Sequence, residues 1–221
     1  AQHSQSLESW FAHIPGLKVV MPSNAYDAKG MLISSVEDNN PVIFIEHRWL
    51  HNTVDYVPTG GFRVPIGKAK IVREGFDVTI VAHSYMVLES IRCAEVLADH
   101  GISIEVIDLR TIRPLDTETI LDSVSKTLRV VVADNGWVKF GVSAEIVSVI
   151  SETLFDKLIC APVRIGMNDS PSPSTRALAN NFYPRADNIA KIISEMMGKD
   201  LDMSVLFPKS SIPLDVPDPS F

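Results

Sequence analysis

Apolar residues in this sequence form short continuous runs separated by stretches of helical periodicity. The runs at 42–45, 78–82 and 130–133 are rich in Val and Ile, which is typical of strands buried on both faces of a sheet. Between runs, apolar positions recur at the spacing of an amphipathic helix, as from Met86 to Asp99. Strands alternating with helices predict an α/β fold with a mostly parallel sheet and right-handed crossovers.

A stretch rich in Pro, Gly and Asn at 47–65 interrupts this alternation, so we place a domain boundary there. The best linker candidate is Pro58-Thr59-Gly60-Gly61, within 58–65, and an α/β domain should follow it. That domain should contain a mostly parallel five-stranded sheet flanked by helices, with a loop at 110–116. Residues 199–221 hold four prolines and no period, which predicts an extended tail.

The first dozen residues carry the leading candidate for chemistry, His3. Ser4 or Ser6 can cap a helix whose apolar face runs from Leu7 to Phe11, which leaves His3 at the amino-terminal mouth of that helix. A neutral imidazole there could exchange protons beside a bound anion. The alternative is a solvated or capping histidine, which is the commoner role near a chain end.

Composition narrows the class of protein. The 221 residues are 46% hydrophobic, enough for one large domain or two small ones, and the net charge of −7 argues against nucleic acid as the main partner. Two cysteines without CxxC spacing indicate a reducing compartment. No apolar run is long enough to span a membrane and no signal peptide is visible, so we expect a cytoplasmic protein. Because the chain opens without Met, we also expect that a segment precedes Ala1.

Three groups follow predicted strands, where doubly wound sheets bind ligands. They are His83-Ser84, Arg110 with Arg113, and the run 134–137 (Asp-Asn-Gly-Trp). The two arginines could hold a phosphate or carboxylate through forked hydrogen bonds. Salt bridges at a subunit contact, using Asp108 and Asp116, are an equally good interpretation.

Other nucleotide and metal signatures are weak. The run 136–141 has neither the GxGxxG of a dinucleotide fold nor the ending of a P-loop, so we expect no NAD or ATP bound by the usual route. His47 and His51 are four residues apart with Asp55 beyond, but they follow a strand and no CxxC supports a zinc site.

Several ordered blocks of sequence, over about residues 1 to 165, resemble the E1 β subunit of thiamine diphosphate-dependent 2-oxo acid dehydrogenases, in the transketolase superfamily. The blocks are AQHSQ at 1–5, PGLKVV at 15–20, DAKG at 27–30, NNPV at 39–42, IGKA at 66–69, RTIRP at 110–114, GW at 136–137, FGV at 140–142 and AEI at 144–146. The resemblance implies that residues 1–57 are the latter part of a pyrimidine-binding domain. It implies that residues 66–198 are a transketolase C-terminal-like domain.

The resemblance also assigns residue roles. His3 matches the family's active-site histidine, which assists proton transfer or acyl transfer to lipoamide. The glutamate and aromatic residues that hold the aminopyrimidine would lie upstream of Ala1. Ser35, Val36, Asp38 and Asn40 match a loop where some relatives bind potassium, mostly through backbone carbonyls.

Cofactors and partners follow from the same resemblance. The diphosphate of thiamine diphosphate and its Mg²⁺ would bind mainly to a partner α subunit. A β–β dimer through the C-terminal domain and a lipoyl acyltransferase would complete the assembly, and the chain alone should be inactive. Arg113 is similar to pyruvate- and acetoin-type relatives, whereas 168–174 and the tail resemble stand-alone transketolase-like proteins. Ketol transfer, as in transketolase or a deoxysugar synthase, and a non-catalytic assembly module remain open as alternatives.

Overall fold

The computed structural model describes residues 3–179 and 182–208. Within these ranges the strands are β1 (Lys18–Val20), β2 (Val42–Phe44), β3 (Lys70–Arg73), β4 (Val78–Ala82), β5 (Ile104–Asp108), β6 (Thr111–Arg113), β7 (Val130–Trp137) and β8 (Val163–Met167). The helices are α1 (Glu8–Ala12), α2 (Ala25–Val36), α3 (Tyr85–Ala98), α4 (Thr117–Thr127), α5 (Val142–Leu154), α6 (Arg176–Ala179), α7 (Ala186–Met196) and α8 (Met203–Leu206), with a 3-10 turn at Arg48–Asn52.

The larger sheet has five strands in the order β3-β5-β4-β7-β8. Strands β5, β4, β7 and β8 are parallel, and β3 pairs with β5 in the antiparallel direction. Every residue of β4 and β5 is buried, because helices cover both faces of the sheet. The prediction of a mostly parallel five-stranded sheet flanked by helices is confirmed.

Alternate residues of the central strand β4 serve two separate cores. Ile80 and Ala82 pack with residues of α3 and α7 on one face, whereas Val81 packs with α4 and α5 on the other. This follows from the two-residue period of a strand. The side chains of β4 are therefore fixed from both faces, and so is the position of the residue that follows it, His83.

A second sheet joins the two halves of the chain. Its order is β2-β1-β6, with β1 parallel to β2 and antiparallel to β6. Strand β6 lies within 110–116, where we predicted a loop, and that prediction is wrong for Thr111–Arg113. A three-residue strand ending at a proline has too little pattern to be recognised without its partner.

The predicted linker at 58–65 packs on the first half of the chain. Val64 is buried against Val20 and Met31, with Phe62 beside them. A Cβ on Gly30 would lie 2.5 Å from Val64, so this contact requires glycine in α2. The domain limits themselves stay predictions.

Two further stretches differ from the sequence expectation. Strand β7 continues past Ala133 to Trp137, which pairs with Met167 after a register shift. Helix α8 occupies part of the predicted extended tail, and residues 209–221 lie outside the described residues. Among the described helices, none combines the length and apolar character needed to cross a membrane.

Candidate functional site

His3 lies on the surface at the start of the described chain, five residues before α1. The segment that follows it runs along the α/β domain, where the Ser172 hydroxyl donates to the carbonyl oxygen of Ser4 over 2.9 Å. Helix α1 begins at Glu8 with Leu7 as its N-cap and no side-chain cap, so the predicted capping by Ser4 or Ser6 is wrong. The hydroxyl of Ser6 donates instead to the Glu8 carboxylate, 2.9 Å from each oxygen.

Three buried ionisable side chains meet behind this segment, and they come from distant parts of the sequence. Glu8 begins α1, His83 follows β4, and Asp134 lies in β7. Nε2 of His83 is 3.9 Å from Oε1 of Glu8 and 3.6 Å from Oδ1 of Asp134. Their side chains are at most 2% exposed. Among the described residues this is the group of His, Cys, Asp and Glu side chains arranged closely enough to hold a metal ion.

The electrostatics of this cluster depend on the two acids that flank the imidazole. Burial alone would lower the pKa of His83, but the Glu8 and Asp134 carboxylates reverse this effect and raise it. Burial would raise the pKa of Glu8, but the imidazole lowers it below its ordinary value. For Asp134, burial outweighs His83 and raises the pKa. The cluster therefore holds strongly interacting charges away from water.

Sequence reasoning found two members of this cluster and missed the third. His83 and Asp134 were singled out because they lie at or near the carboxyl ends of parallel strands, and the structure brings them together. Glu8 was missed because an acid in the first turn of a helix ordinarily faces solvent. A detectable signal was its place three and four residues before Phe11 and Ala12, which pack on the core.

The predicted anion-binding arginines are engaged inside the fold. Nη1 of Arg110 donates to Asp27 at 3.2 Å, and its Nε and Nη2 donate to the Lys68 carbonyl at 3.0 and 2.8 Å. Nη1 of Arg113 donates to the carbonyl oxygen of Ala12. An anion would have to compete with these partners. The alternative interpretation was salt bridges to Asp108 and Asp116. In the structure, the acid that pairs with the Arg110 side chain is Asp27.

The residues of the predicted potassium loop lie at the end of α2 and just beyond it. The Ser35 carbonyl accepts from the N–H of Glu37 and of Asp38. The Asp38 carboxylate accepts from Lys18 at 2.5 Å and from the Asn40 N–H at 2.8 Å. Val36 is 80% exposed. Potassium binding stays a prediction, and the Lys18 ammonium group disfavours a second cation beside Asp38.

His47 and His51 have separate roles in the described structure. Nδ1 of His47 accepts from the Trp49 N–H, and its ring stacks on Tyr85 at 5.1 Å. Burial, followed by the charge of Arg185, lowers the pKa of His47 to about 4. His51 is exposed, with Nε2 3.7 Å from Glu46. Each histidine of the pair therefore contacts protein groups of its own.

The fold and sequence both match known proteins. The family model described as the transketolase C-terminal domain matches residues 67–189, and that of the transketolase pyrimidine-binding domain matches residues 1–53, which include His3. One solved structure, a split-gene transketolase described as an inactive β4 tetramer, has a TM-score of 0.70 at 26% identity. The match covers 86% of this chain and 61% of that one.

Curated relatives include subunits of two enzymes. The chain is 45% identical over 205 residues to the mitochondrial pyruvate dehydrogenase E1 component subunit beta of Drosophila melanogaster, covering 90% of this chain and 56% of the relative. It is 41% identical over 197 residues to the acetoin:2,6-dichlorophenolindophenol oxidoreductase subunit beta of Cupriavidus necator, covering 89% and 58%. The chain thus spans just over half the length of these relatives.

These relatives correct the expected location. Several carry the word mitochondrial in their names, including those of Drosophila melanogaster, Bos taurus and Rattus norvegicus, so the prediction of a cytoplasmic protein is wrong. The prediction rested on cysteine usage and on the lack of a visible signal peptide or membrane-spanning run, and none of these tells one reducing compartment from another. From its family matches, its sheet and its relatives, the chain belongs to the transketolase family, with parts homologous to the pyrimidine-binding and C-terminal domains of pyruvate dehydrogenase E1 β subunits.

Proposed function

We propose that this chain belongs to the β subunit of a thiamine diphosphate-dependent 2-oxo acid dehydrogenase of the pyruvate or acetoin type. In this role the subunit takes part in decarboxylating a 2-oxo acid and passing the acyl group to lipoamide. The observation that carries the proposal is the 41–45% identity to β subunits of these enzymes over about nine-tenths of the chain.

His3 is the residue of this chain that we assign to the chemistry. It lies within the part that matches the pyrimidine-binding domain, and it is exposed at the end of a segment anchored to the α/β domain. An exposed imidazole on an anchored segment can enter a pocket built with another subunit and act there as a general acid or base.

The proposed partners complete that pocket. An E1 α-type subunit would hold the diphosphate and Mg²⁺, a second β chain would pair through the C-terminal domain, and a lipoyl acyltransferase would accept the product. We therefore expect the isolated chain to bind thiamine diphosphate weakly or not at all. Submicromolar binding to the isolated chain in calorimetry would contradict a shared pocket.

A His3→Ala variant, assayed in the complex with the α-type subunit, tests the assigned residue. We expect kcat to fall by about 100-fold or more, as for loss of a general acid–base group. His13→Ala is the matched control, because His13 is another exposed histidine ten residues away, and its kcat should be unchanged. Equal rates for the two variants would remove His3 from the mechanism.

Ketol transfer is the second candidate, favoured by the match to a split-gene transketolase. The same complex would then turn over ketose phosphates and not 2-oxo acids. A non-catalytic assembly role predicts turnover of neither substrate class by any complex that contains this chain.

A further inference from the structure

We propose that Glu8, His83 and Asp134 form a binding site for a divalent transition-metal cation, with Zn²⁺ as the reference ion. The site goes beyond the proposed function and does not depend on it. It lies where β4 ends, beside Asp134 of the neighbouring strand β7, and is completed by the first residue of α1.

The positions of the three side chains suit a small cation. Nε2 of His83 is buried and has no hydrogen-bond partner among the described residues, although carboxylate oxygens face it at 3.6 and 3.9 Å. These distances are longer than the donor–acceptor distance of a hydrogen bond. Two ligands of a tetrahedral zinc ion, with bonds of about 2.0–2.2 Å, lie about 3.3–3.6 Å apart. The three ligand atoms lie within 4.8 Å of one another, so small side-chain movements would bring all three onto one ion.

The carboxylates are held in place by hydrogen bonds from outside the cluster. Oδ1 and Oδ2 of Asp134 accept from the backbone N–H of Gly136 and of Ser143, each at 2.8 Å. Glu8 accepts from the Ser6 hydroxyl. Such bonds fix the orientation of carboxylate ligands in metal sites and leave further lone pairs free to coordinate.

Gly136 keeps a side chain away from the space between the acids. A Cβ at this position would lie 3.0 Å from Oε1 of Glu8 and 3.3 Å from Oδ1 of Asp134. Its φ is not among the positive values of the chain, so the conformation of the backbone does not call for glycine. The two carboxylate oxygens thus approach the backbone closely, and a side chain at this position would have to displace them by a few tenths of an ångström.

The balance of charge also favours a cation. Two ionised carboxylates and one imidazolium would carry a net charge of −1 in a buried space, and the nearby Asp108 adds another acid that acts on His83. Buried charge that is not balanced is costly. A divalent ion bound to two carboxylates and a neutral imidazole makes the cluster neutral. A bound ion would also tie the segment that carries His3 to the central sheet.

Calorimetric titration of Zn²⁺ into the full chain, stripped with EDTA and free of affinity tags, tests the site. We expect one ion per chain, and a loss of affinity of at least about 100-fold in His83→Ala and Glu8→Gln. Glu8→Gln preserves side-chain shape, so the test holds even where His83→Ala fails to fold. The matched control is His51→Ala, which removes an exposed histidine beside Glu46 and should bind Zn²⁺ as wild type does.

X-ray absorption at the zinc edge gives an independent check. The expected spectrum has one imidazole nitrogen and oxygen ligands at about 2.0–2.2 Å. The proposal is overturned if the wild-type chain takes up no Zn²⁺, or if Glu8→Gln binds it equally well. Either result would mean that the cluster is an ion pair held by a protonated His83.

Discussion

Asp108 should make the chain less stable as the pH rises from about 4 to about 6. Its side chain is fully buried, with Oδ2 accepting from the Ser23 hydroxyl at 2.5 Å and Oδ1 from the Arg110 N–H at 2.9 Å. Burial raises its pKa from 3.8 to about 6, and the nearby Asp27 acts in the same direction, while the two hydrogen bonds and the Arg110 charge oppose this. The Asp108 charge also acts on His83, for which it raises the pKa.

The size of the effect follows from linkage. The folded state prefers the protonated carboxyl, so the penalty is absent below pH 3.8 and fully present above pH 6. A shift of about 2 units corresponds to about 3 kcal/mol in the free energy of unfolding. Asp108→Asn cannot ionise, and its amide can still accept from Arg110 and donate to the Ser23 oxygen. We expect it to gain about 3 kcal/mol over wild type between pH 4 and pH 7.

Denaturant unfolding at several pH values, with EDTA present, measures this difference. The matched control is Asp122→Asn, because Asp122 is an exposed aspartate in α4 and its replacement should leave the free energy of unfolding nearly unchanged. If Asp108→Asn and wild type differ by the same free energy at pH 4 and pH 7, the carboxyl ionises normally in the fold. The reasoning from burial would then be refuted.

Two further predictions concern stability. Gly75→Ala should lower the free energy of unfolding by at least about 2 kcal/mol, because its Cβ would lie 2.1 Å from the backbone carbon of Ile104. The control Gly61→Ala, where the nearest atom is 4.0 Å away, should change the free energy of unfolding by less than about 0.5 kcal/mol. Similar melting temperatures for the two variants would contradict this prediction. His47, with its pKa lowered to about 4, favours the neutral form in the fold, so wild type should lose about 3 kcal/mol as the pH falls from 6.5 through 4. The free energy of unfolding of His47→Gln should fall less over the same pH range in the same denaturant experiment. If the plots of stability against pH are parallel for wild type and variant, the pKa of His47 is not lowered by folding.

The sheet was predictable because its central strands are encoded locally. Val78–Ala82 is a short run of β-branched and small residues bounded by polar ones, and its length and β-branched content favour a strand covered on both faces. Strand β6 was not predictable, because its three residues form a strand only by pairing with β1, more than ninety residues earlier.

The candidate site was likewise predictable only in part. The rule that ligands bind at the carboxyl ends of parallel strands identified His83 and Asp134 before any coordinates. It could not identify Glu8, whose burial depends on the packing of α1 against the α/β domain. Arg110 was predicted to bind an anion because of its spacing to Arg113. In the structure its side-chain donors instead bind Asp27 and the Lys68 carbonyl oxygen.

The most direct measurement of the proposed function is the release of labelled carbon dioxide from carboxyl-labelled pyruvate. The assay uses this protein combined with its α-type subunit, thiamine diphosphate, Mg²⁺ and lipoamide. The β-subunit assignment predicts labelled carbon dioxide together with an equal amount of acyl-lipoamide, and neither product when this protein is left out. Turnover of ketose phosphates without carbon dioxide release from any 2-oxo acid, or no turnover at all, would contradict it.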